Sequence, residues 1–194
     1  MRIDGNLRAM IGRYTVMYTL NEKVVYPGHG VALVKQVIEK SVGVTKIKFY
    51  ELKFLNKEMT ILIPIDAQDT CGIRPLSSEK NIESILAILS EPSSTKRGCA
   101  TSSWNKRNKQ YQCRIKTGDL TEIIKIYRDL QIAAQEKDLS FGERNLLNQI
   151  EALLAEEIAL VKNVVEEQAV QILRTACLSA GSTCLKTDLS LIQW

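Results

Sequence analysis

Residues 23–34 read KVVYPGHGVALV, and this stretch decides the fold of the first part of the chain. Residues 24–26 are β-branched or aromatic, which is typical of a strand. Residues 27–30 contain a proline and two glycines and therefore force a turn, after which residues 31–34 resume a strand. The stretch predicts two strands joined by a tight turn, with His29 as a turn residue bonded to backbone.

The strand pattern continues to about residue 74. Residues 46–54 alternate polar and apolar side chains, as a half-buried strand does. Residues 59–63 form another apolar run, which ends at Pro64 because proline stands only at a strand end or on an edge. Several short strands with no crossover helix between them predict a small, strongly bent sheet or an SH3-like barrel, with antiparallel pairing.

A helical period replaces the strands after Pro75. Apolar residues recur at helical spacing over residues 82–89, 123–130, 146–158 and 161–178, and a further helix is predicted over residues 104–116. Two helices open with predicted capping boxes, with Asp119 and Ser140 as N-caps and Glu122 and Glu143 reaching back. Gly181 is expected to interrupt the last helix. The chain is therefore predicted to be α+β, a small β-barrel followed by an all-α helical bundle whose carboxylates lie at solvated positions.

The segment between Pro92 and Gly118 is strongly basic. It contains seven basic residues and no acidic one, whereas the whole chain carries a net charge of only +4. Trp104 lies near its centre, behind a Ser- and Thr-rich stretch that predicts an exposed loop. The residues alone leave two interpretations open. Trp104 either caps a small core beside solvated lysines, or wedges into a base step while the cations neutralise phosphates.

Composition and motifs disfavour several classes of function. The longest uncharged runs fall short of the roughly 20 residues that a membrane span needs. Five cysteines without C-x-x-C spacing and a single histidine support neither a zinc site nor a disulfide framework, so free thiols in a reducing cytoplasm are expected. The chain has no glycine-rich motif for a nucleotide phosphate. Neither an enzyme nor a bound metal, cofactor or small-molecule substrate is expected.

With these residues laid out, the chain resembles the CarD/CdnL family of bacterial regulators that bind RNA polymerase. Its N-terminal part is also similar to the polymerase-interacting domain of transcription-repair coupling factors. The matching pieces, in unbroken order, are Lys23–Val31, Phe49–Leu52, Ile63–Pro64, Gly72–Arg74, Trp104, Lys116–Asp119, Tyr127–Leu130 and Leu139–Arg144. The likeness runs from about Leu20 to Ala176.

The resemblance implies a division of labour along the chain. A Tudor-like barrel over residues 20–76 docks on the polymerase β subunit, partly by strand addition. A helical domain over residues 77–178 lies at the upstream edge of the promoter bubble, where a tryptophan wedges into the minor groove and slows bubble collapse. Residues 1–19 form an extension and residues 179–194 a tail, and the sequence leaves open whether Met17 is the natural start.

Specific residues follow from the resemblance by position. The implied DNA contacts are Trp104, Lys106, Arg107, Lys109, Arg144 and Gly118, the last at a helix start that favours an anion. The implied polymerase contacts are Lys40, Ser41, Val42 and Leu62. Leu62 is a departure, because the family places a cation there. Two further departures are Asn21-Glu22 in place of the usual Gly-Asp and a long loop before Trp104 that carries Lys96 and Arg97.

The functional prediction is a cytoplasmic, non-enzymatic transcription regulator that stabilises the open promoter complex with little direct base readout. The alternative is a protein-interaction module in which the barrel binds a partner and the helices only oligomerise or scaffold. In that alternative Trp104 is a core residue and the chain does not contact DNA.

Overall fold

The computed structural model describes residues 18–42, 45–67, 71–90 and 103–182. The first seventeen residues, the loop with Lys96 and Arg97, and the residues after Ser182 lie outside the described residues. The predictions made for the extension, for that loop and for the end of the tail therefore remain predictions.

Within these described ranges, five antiparallel strands form one sheet in the order β4-β3-β2-β1-β5. The strands are β1 (Lys23–Tyr26), β2 (Gly30–Val42), β3 (Thr45–Phe54), β4 (Thr60–Pro64) and β5 (Arg74–Pro75). The predicted tight turn joins β1 to β2, with Gly28 at φ +74° and Gly30 at φ +107°, backbone conformations that glycine adopts most readily. Pro64 ends an edge strand, as predicted. Closure of this sheet into a barrel stays a prediction, since β4 and β5 are its two edges.

Five helices follow in the described part of the chain, which confirms the α+β class. They are α1 (Glu79–Ser90), α2 (Trp104–Lys116), α3 (Leu120–Glu136), α4 (Phe141–Lys162) and α5 (Glu166–Ser182). They contribute to one continuous hydrophobic core, whose fully buried members include Ile124, Tyr127, Ile150 and Leu173. A separate core lies under the sheet around Tyr50. None of the helices in the described ranges has the length and apolar character needed to cross a membrane.

The helix ends follow the sequence in part. Ser140 and Glu143 form the predicted capping box. Asp119 is the N-cap of α3, and its carboxylate accepts a hydrogen bond from the N–H of Thr121 at 2.9 Å. Glu122 does not reach back to it, because its carboxylate is ion-paired with Arg114 at 2.7 Å and with a lysine one turn further on. The predicted second capping box is therefore wrong.

The boundary between the last two helices also differs from the prediction. The predicted helix over residues 161–178 spans the end of one helix and most of the next. The chain breaks at Asn163, whose φ of +54° is left-handed, a conformation that asparagine tolerates better than most residues. Gly181 lies inside α5 and does not interrupt it.

Several carboxylates of α4 are buried, where the sequence predicted solvated ones. Glu143, Glu151, Glu156 and Glu157 are all less than a tenth exposed, so the expectation that acidic residues of the helices are solvated is wrong. Buried carboxylates need partners, and Arg107, Arg174 and Arg74 supply ion pairs to three of the four.

Glu157 and Glu156 join the helices to the sheet. Arg74, at the start of β5, binds both carboxylate oxygens of Glu157, at 2.6 and 2.7 Å. Glu156 accepts a hydrogen bond from the backbone N–H of Val31 in β2, and its burial raises its pKa. The sheet and the helices are thus connected by a specific, largely buried polar joint.

Candidate nucleic-acid interface

Trp104 is the first residue of α2 and is half-buried. One side of its indole packs against the helical core. It also lies on the backbone of Gly142, in the first turn of α4, where a Cβ atom would come within 2.7 Å of the indole nitrogen. Trp104 is therefore neither sunk in the core nor free of it. It is the first residue of a helix, as the sequence predicted, and its ring packs on the backbone of Gly142, which the sequence did not predict.

Arg107 holds the indole from its own helix. Its guanidinium carbon lies 5.6 Å from the centre of the Trp104 ring, a distance at which a cation is attracted to the ring face. The same guanidinium donates to Glu143 at 2.8 Å. Because α2 begins at Trp104 and α4 begins just before Glu143, this ion pair fastens the first turns of two helices to each other beside the ring.

Glu143 has three partners in this arrangement. Its carboxylate accepts hydrogen bonds from the N–H and the hydroxyl of Ser140 at 3.0 and 2.8 Å, in addition to the guanidinium. Burial raises the pKa of the carboxyl, but the hydrogen bonds from Ser140 and Arg107 outweigh that effect, so its pKa lies below its ordinary value. Glu143 therefore stays ionised at neutral pH and keeps Arg107 in place.

Exposed cations surround this cluster. Lys106 and Lys109 are exposed on α2, and Arg144 is exposed on the first turn of α4. Arg107 differs from these three, because its side chain is only 18% exposed and its guanidinium is ion-paired with Glu143. Of the four cationic side chains predicted to contact phosphates, three are thus accessible to a polyanion, and the fourth, Arg107, is engaged within the protein.

Gly118 lies elsewhere. It is buried between α2 and α3 with φ +74°, and a Cβ there would meet the carbonyl oxygen of Gly72 at 2.8 Å. Its N–H donates to Ile115, and its carbonyl oxygen accepts from Arg74 at 2.8 Å. This places Gly118 in the joint between helices and sheet and not at an exposed helix start, which disfavours the predicted phosphate contact.

The predicted polymerase contacts lie on the sheet. In the register of the strands, Lys40 pairs with Ile47 in β3, and Leu62 pairs with Glu51. Because side chains alternate between the two faces of a strand, Lys40 and Leu62 lie on the face opposite buried Tyr50. Ser41 lies on the other face from Lys40. Val42 is the last residue of β2, and its side chain lies outside the described part of the chain.

The face with Lys40 and Leu62 is an apolar patch, which we call the outer patch. Its members, each half-exposed, are Ile38, Ile47, Phe49, Leu62 and Pro64. Beyond Val34, the described pairing of β2 is only with β3, so the edge of residues 35–42 is also available to another strand. The structure therefore brings Lys40 and Leu62 together with an exposed apolar surface and a strand edge.

Sequence reasoning missed several residues of these surfaces. Gly142 was read only as part of a capping box, although the chain offers a signal: a glycine within the first turn of a helix is where another side chain can lie on the backbone. The outer patch was visible as Ile47 and Phe49 alternating with buried Tyr50, but which face would be covered could not be read from the strand alone. Among the residues described, no three His, Cys, Asp or Glu side chains are grouped so as to hold a metal ion.

Comparisons with known proteins match both parts of the chain. Residues 18–77 match the family model described as "CarD-like/TRCF RID domain", and residues 84–174 match the one described as "CarD, C-terminal domain". The chain is also similar to "Putative transcription factor YdeB" of Bacillus subtilis. The two are 27% identical over 152 residues, which is 78% of this chain and 97% of the relative.

Proposed function

We propose that this chain, which belongs to the CarD family by both of its matched regions, binds the β subunit of RNA polymerase and promoter DNA at the same time and so stabilises the open complex. Membership of the family makes it a transcription regulator that acts through RNA polymerase. We further propose that the β subunit is the polymerase partner and that the DNA site is the upstream edge of the bubble. In this proposal residues 20–76 bind polymerase and residues 77–178 bind DNA. The chain is proposed to act in the cytoplasm.

The observation that carries the DNA half of the proposal is the supported indole of Trp104. An aromatic ring that enters the minor groove must be held in place while it separates two base pairs, because unstacking a step costs a few kcal/mol. Gly142 and Arg107 hold this ring on two sides, and Lys106, Lys109 and Arg144 are exposed around it for phosphates. Contacts of this kind bind distorted or melted duplex best and therefore shift the equilibrium towards the open promoter.

The outer patch supports the polymerase half. A half-exposed apolar surface with a cation at its rim is typical of a protein-docking site. The neighbouring edge of β2 offers unpaired backbone groups for strand addition. Lys40 is exposed at this rim, and Leu62 contributes apolar surface where the family has a cation. We therefore propose that apolar contact replaces that charge here.

Replacing Trp104 with alanine tests the DNA half. Removal of one stacking aromatic costs about 1–3 kcal/mol, so the lifetime of the open complex is expected to fall about tenfold relative to wild type. The measurement is decay of polymerase–promoter complexes after addition of a competitor. Co-elution of the variant with polymerase and its thermal midpoint serve as controls. A variant that keeps the wild-type lifetime removes the wedge role.

The substitution Lys40→Glu tests the polymerase half. Reversal of a rim charge is expected to weaken binding to an isolated β-subunit lobe about tenfold. Binding is measured by calorimetry, and Lys80→Glu, at an exposed position of α1, supplies the same charge change away from the outer patch. Equal affinity of Lys40→Glu and the control would show that Lys40 is not at the interface. If Trp104→Ala keeps the wild-type lifetime and the chain shows no salt-dependent binding to DNA, with or without polymerase, the chain is a protein-interaction module without DNA contact.

A further inference from the structure

Phe141 is the most exposed large apolar residue among those described. It is the first residue of α4, and its side chain is 81% exposed, against 59% for the next such residue, Leu20. Isolated apolar side chains on a surface are common. Phe141 is distinguished by its neighbours, because Ser140 caps the helix, Gly142 supports the indole of Trp104 and Glu143 binds Arg107. Phe141 alone contributes little to the fold.

Phe141 lies beside Trp104 in the fold. Consecutive Cα atoms are about 3.8 Å apart, and the indole lies directly on the residue that follows Phe141, with its nitrogen 2.7 Å from the place of a Cβ on Gly142. Two aromatic side chains therefore start from neighbouring points of the surface, one from the first residue of α2 and one from the first residue of α4. One is braced and half-buried, and the other projects into solvent.

The charges around Phe141 are mainly positive. Arg144 follows three residues later on the same side of the helix and is exposed, as are Lys106 and Lys137. Lys137 is close enough for its charge to lower the pKa of Glu143. Glu136 and Asp138 are the exposed acids of the preceding five residues. An apolar ring within such a set of cations matches a ligand that presents flat apolar faces between phosphates.

We propose that Phe141 is a second aromatic DNA contact beside Trp104, whose ring stacks on a base exposed at the fork of the melted promoter, next to the step occupied by Trp104. This inference rests on the proposed function, because it needs the helical part to lie at melted DNA. Stacking on a phenyl ring is tolerant of sequence, since every base has a π-face. The pair then works in two ways: the supported indole separates the step, and the exposed phenyl ring covers a base that has lost its neighbour.

Charge disfavours a second copy of this chain as the occupant. A symmetric contact through Phe141 would bring Arg144 of one copy close to Arg144 of the other, and like charges at short distance weaken association. A strand of nucleic acid meets the same cations with attraction. An unrelated protein partner remains an outcome of the test.

The first experiment measures the lifetime of polymerase–promoter open complexes with the full chain carrying Phe141→Ala. The expected result is a three- to tenfold shorter lifetime than wild type, with Phe141→Tyr close to wild type, because a single base–aromatic contact is lost only in the former. The matched control is Val165→Ala. Val165 is also exposed, at 58%, but lies beyond the far end of α4, a 22-residue helix about 33 Å long. The control is expected to leave the lifetime unchanged.

The background of Trp104→Ala separates a direct contact from an effect passed through the indole. If Phe141 touches DNA itself, Phe141→Ala shortens the lifetime further in that background. If it has no further effect there, Phe141 acts only by placing Trp104, and the inference is wrong. Loss of polymerase co-elution by Phe141→Ala would assign the residue to a protein contact and overturn the inference as well.

A forked DNA duplex with 2-aminopurine at the junction gives a readout that does not depend on polymerase. Stacking of the phenyl ring on that base is expected to quench its fluorescence with wild-type protein and not with Phe141→Ala. Absence of quenching by wild type at saturating protein would overturn the inference. If wild type lengthens the open-complex lifetime and Trp104→Ala does not, while Phe141→Ala equals wild type, the proposed function stands and this inference fails. If wild type itself has no effect on the lifetime, the proposed function fails.

Discussion

At the scale of single residues, the lack of a side chain at Gly142 lets the indole of Trp104, the proposed DNA contact, lie on the backbone of α4. Alanine is the better helix former by about 1 kcal/mol, yet a Cβ at this position would meet three ring atoms of Trp104 at 2.7 to 3.3 Å. Contacts below 3.0 Å require the ring to move. The Gly142→Ala variant is therefore expected to keep its stability and to lose the placement of the indole.

Fluorescence checks this prediction, in a background with Trp194→Phe so that only Trp104 emits. The emission maximum of Gly142→Ala is expected to shift to the red as the ring leaves its support, and the lifetime of the open complex is expected to fall towards that of Trp104→Ala. Asn145→Ala, at an exposed position of the same helix, is the control. An unchanged spectrum for Gly142→Ala would mean that the backbone of α4 does not support the ring.

Sequence reasoning at this scale found the ring but not what holds it. Trp104 stands out because a lone tryptophan in a basic segment is unusual, and its place at the entrance of α2 follows from the helix pattern. The partners of Arg107 and the support from Gly142 lie more than thirty residues away along the chain. They depend on how α2 packs on α4, and a local pattern carries no information about that packing.

At the scale of secondary-structure elements, the first turn of α4 has two roles. Its capping box satisfies backbone donors that every helix start leaves open. The same Glu143 carboxylate anchors Arg107, which lies over the indole. The capping box could be predicted because Ser-x-x-Glu is a local signal. The ion pair of Glu143 with Arg107 could not be predicted, because the similar pattern of Asp119 and Glu122 gives an ion pair with Arg114 instead.

The Glu143→Gln variant tests this double role. It leaves the largely buried Arg107 without a charged partner, so the free energy of unfolding at pH 7 is expected to fall by about 2 kcal/mol. The folded state lowers the pKa of Glu143. Its contribution is therefore present above the ordinary pKa of a glutamate and is lost as the pH falls through the lowered value. The difference between wild type and variant is expected to narrow below about pH 4.

Urea denaturation at a series of pH values measures the difference in unfolding free energy between wild type and Glu143→Gln. Glu122→Gln is the control, because its carboxylate is also ion-paired and its pKa is also lowered, chiefly by its hydrogen bond to Lys125. The side chains of Glu122 and its two partners, Arg114 and Lys125, are each about a third exposed or slightly more. Exposed ion pairs contribute under about 1 kcal/mol to stability. A loss as large for Glu122→Gln as for Glu143→Gln would contradict the role assigned to the buried cluster.

At the scale of the whole molecule, the joint between sheet and helices connects the surface proposed to bind polymerase with the surface proposed to bind DNA. Two moderate binding contacts give a high combined affinity only when the link between them holds each site within reach of its partner. Here the link contains the bidentate pair of Arg74 and Glu157, the bond from Arg74 to the Gly118 carbonyl, and the close approach of Gly118 to Gly72. Gly118 could be read from the sequence as a helix end, but its role in this joint could not, because it depends on a segment more than forty residues earlier.

Breaking the joint is expected to uncouple polymerase binding from promoter opening. In Arg74→Leu the carboxylate of Glu157, 2% exposed, is left without its cation, and the cost is about 3 kcal/mol of stability. The double variant with Glu157→Leu is expected to recover part of that loss, since no unpaired charge is left buried. Both variants are expected to bind the β-subunit lobe as wild type does and to stabilise the open complex less, because the helices are no longer held in a fixed relation to the sheet.

Arg174→Leu distinguishes lost coupling from lost stability. Arg174 is ion-paired with largely buried Glu151 inside the helical part, away from the joint. Its replacement is also expected to lower the free energy of unfolding, but it leaves the link between sheet and helices intact, so open-complex lifetimes below the melting transition are expected to match wild type. If Arg174→Leu shortens the lifetime as much as Arg74→Leu, the effect of both is simple destabilisation. If only Arg74→Leu shortens the lifetime, the joint couples polymerase binding by the sheet to the contact of Trp104 with DNA.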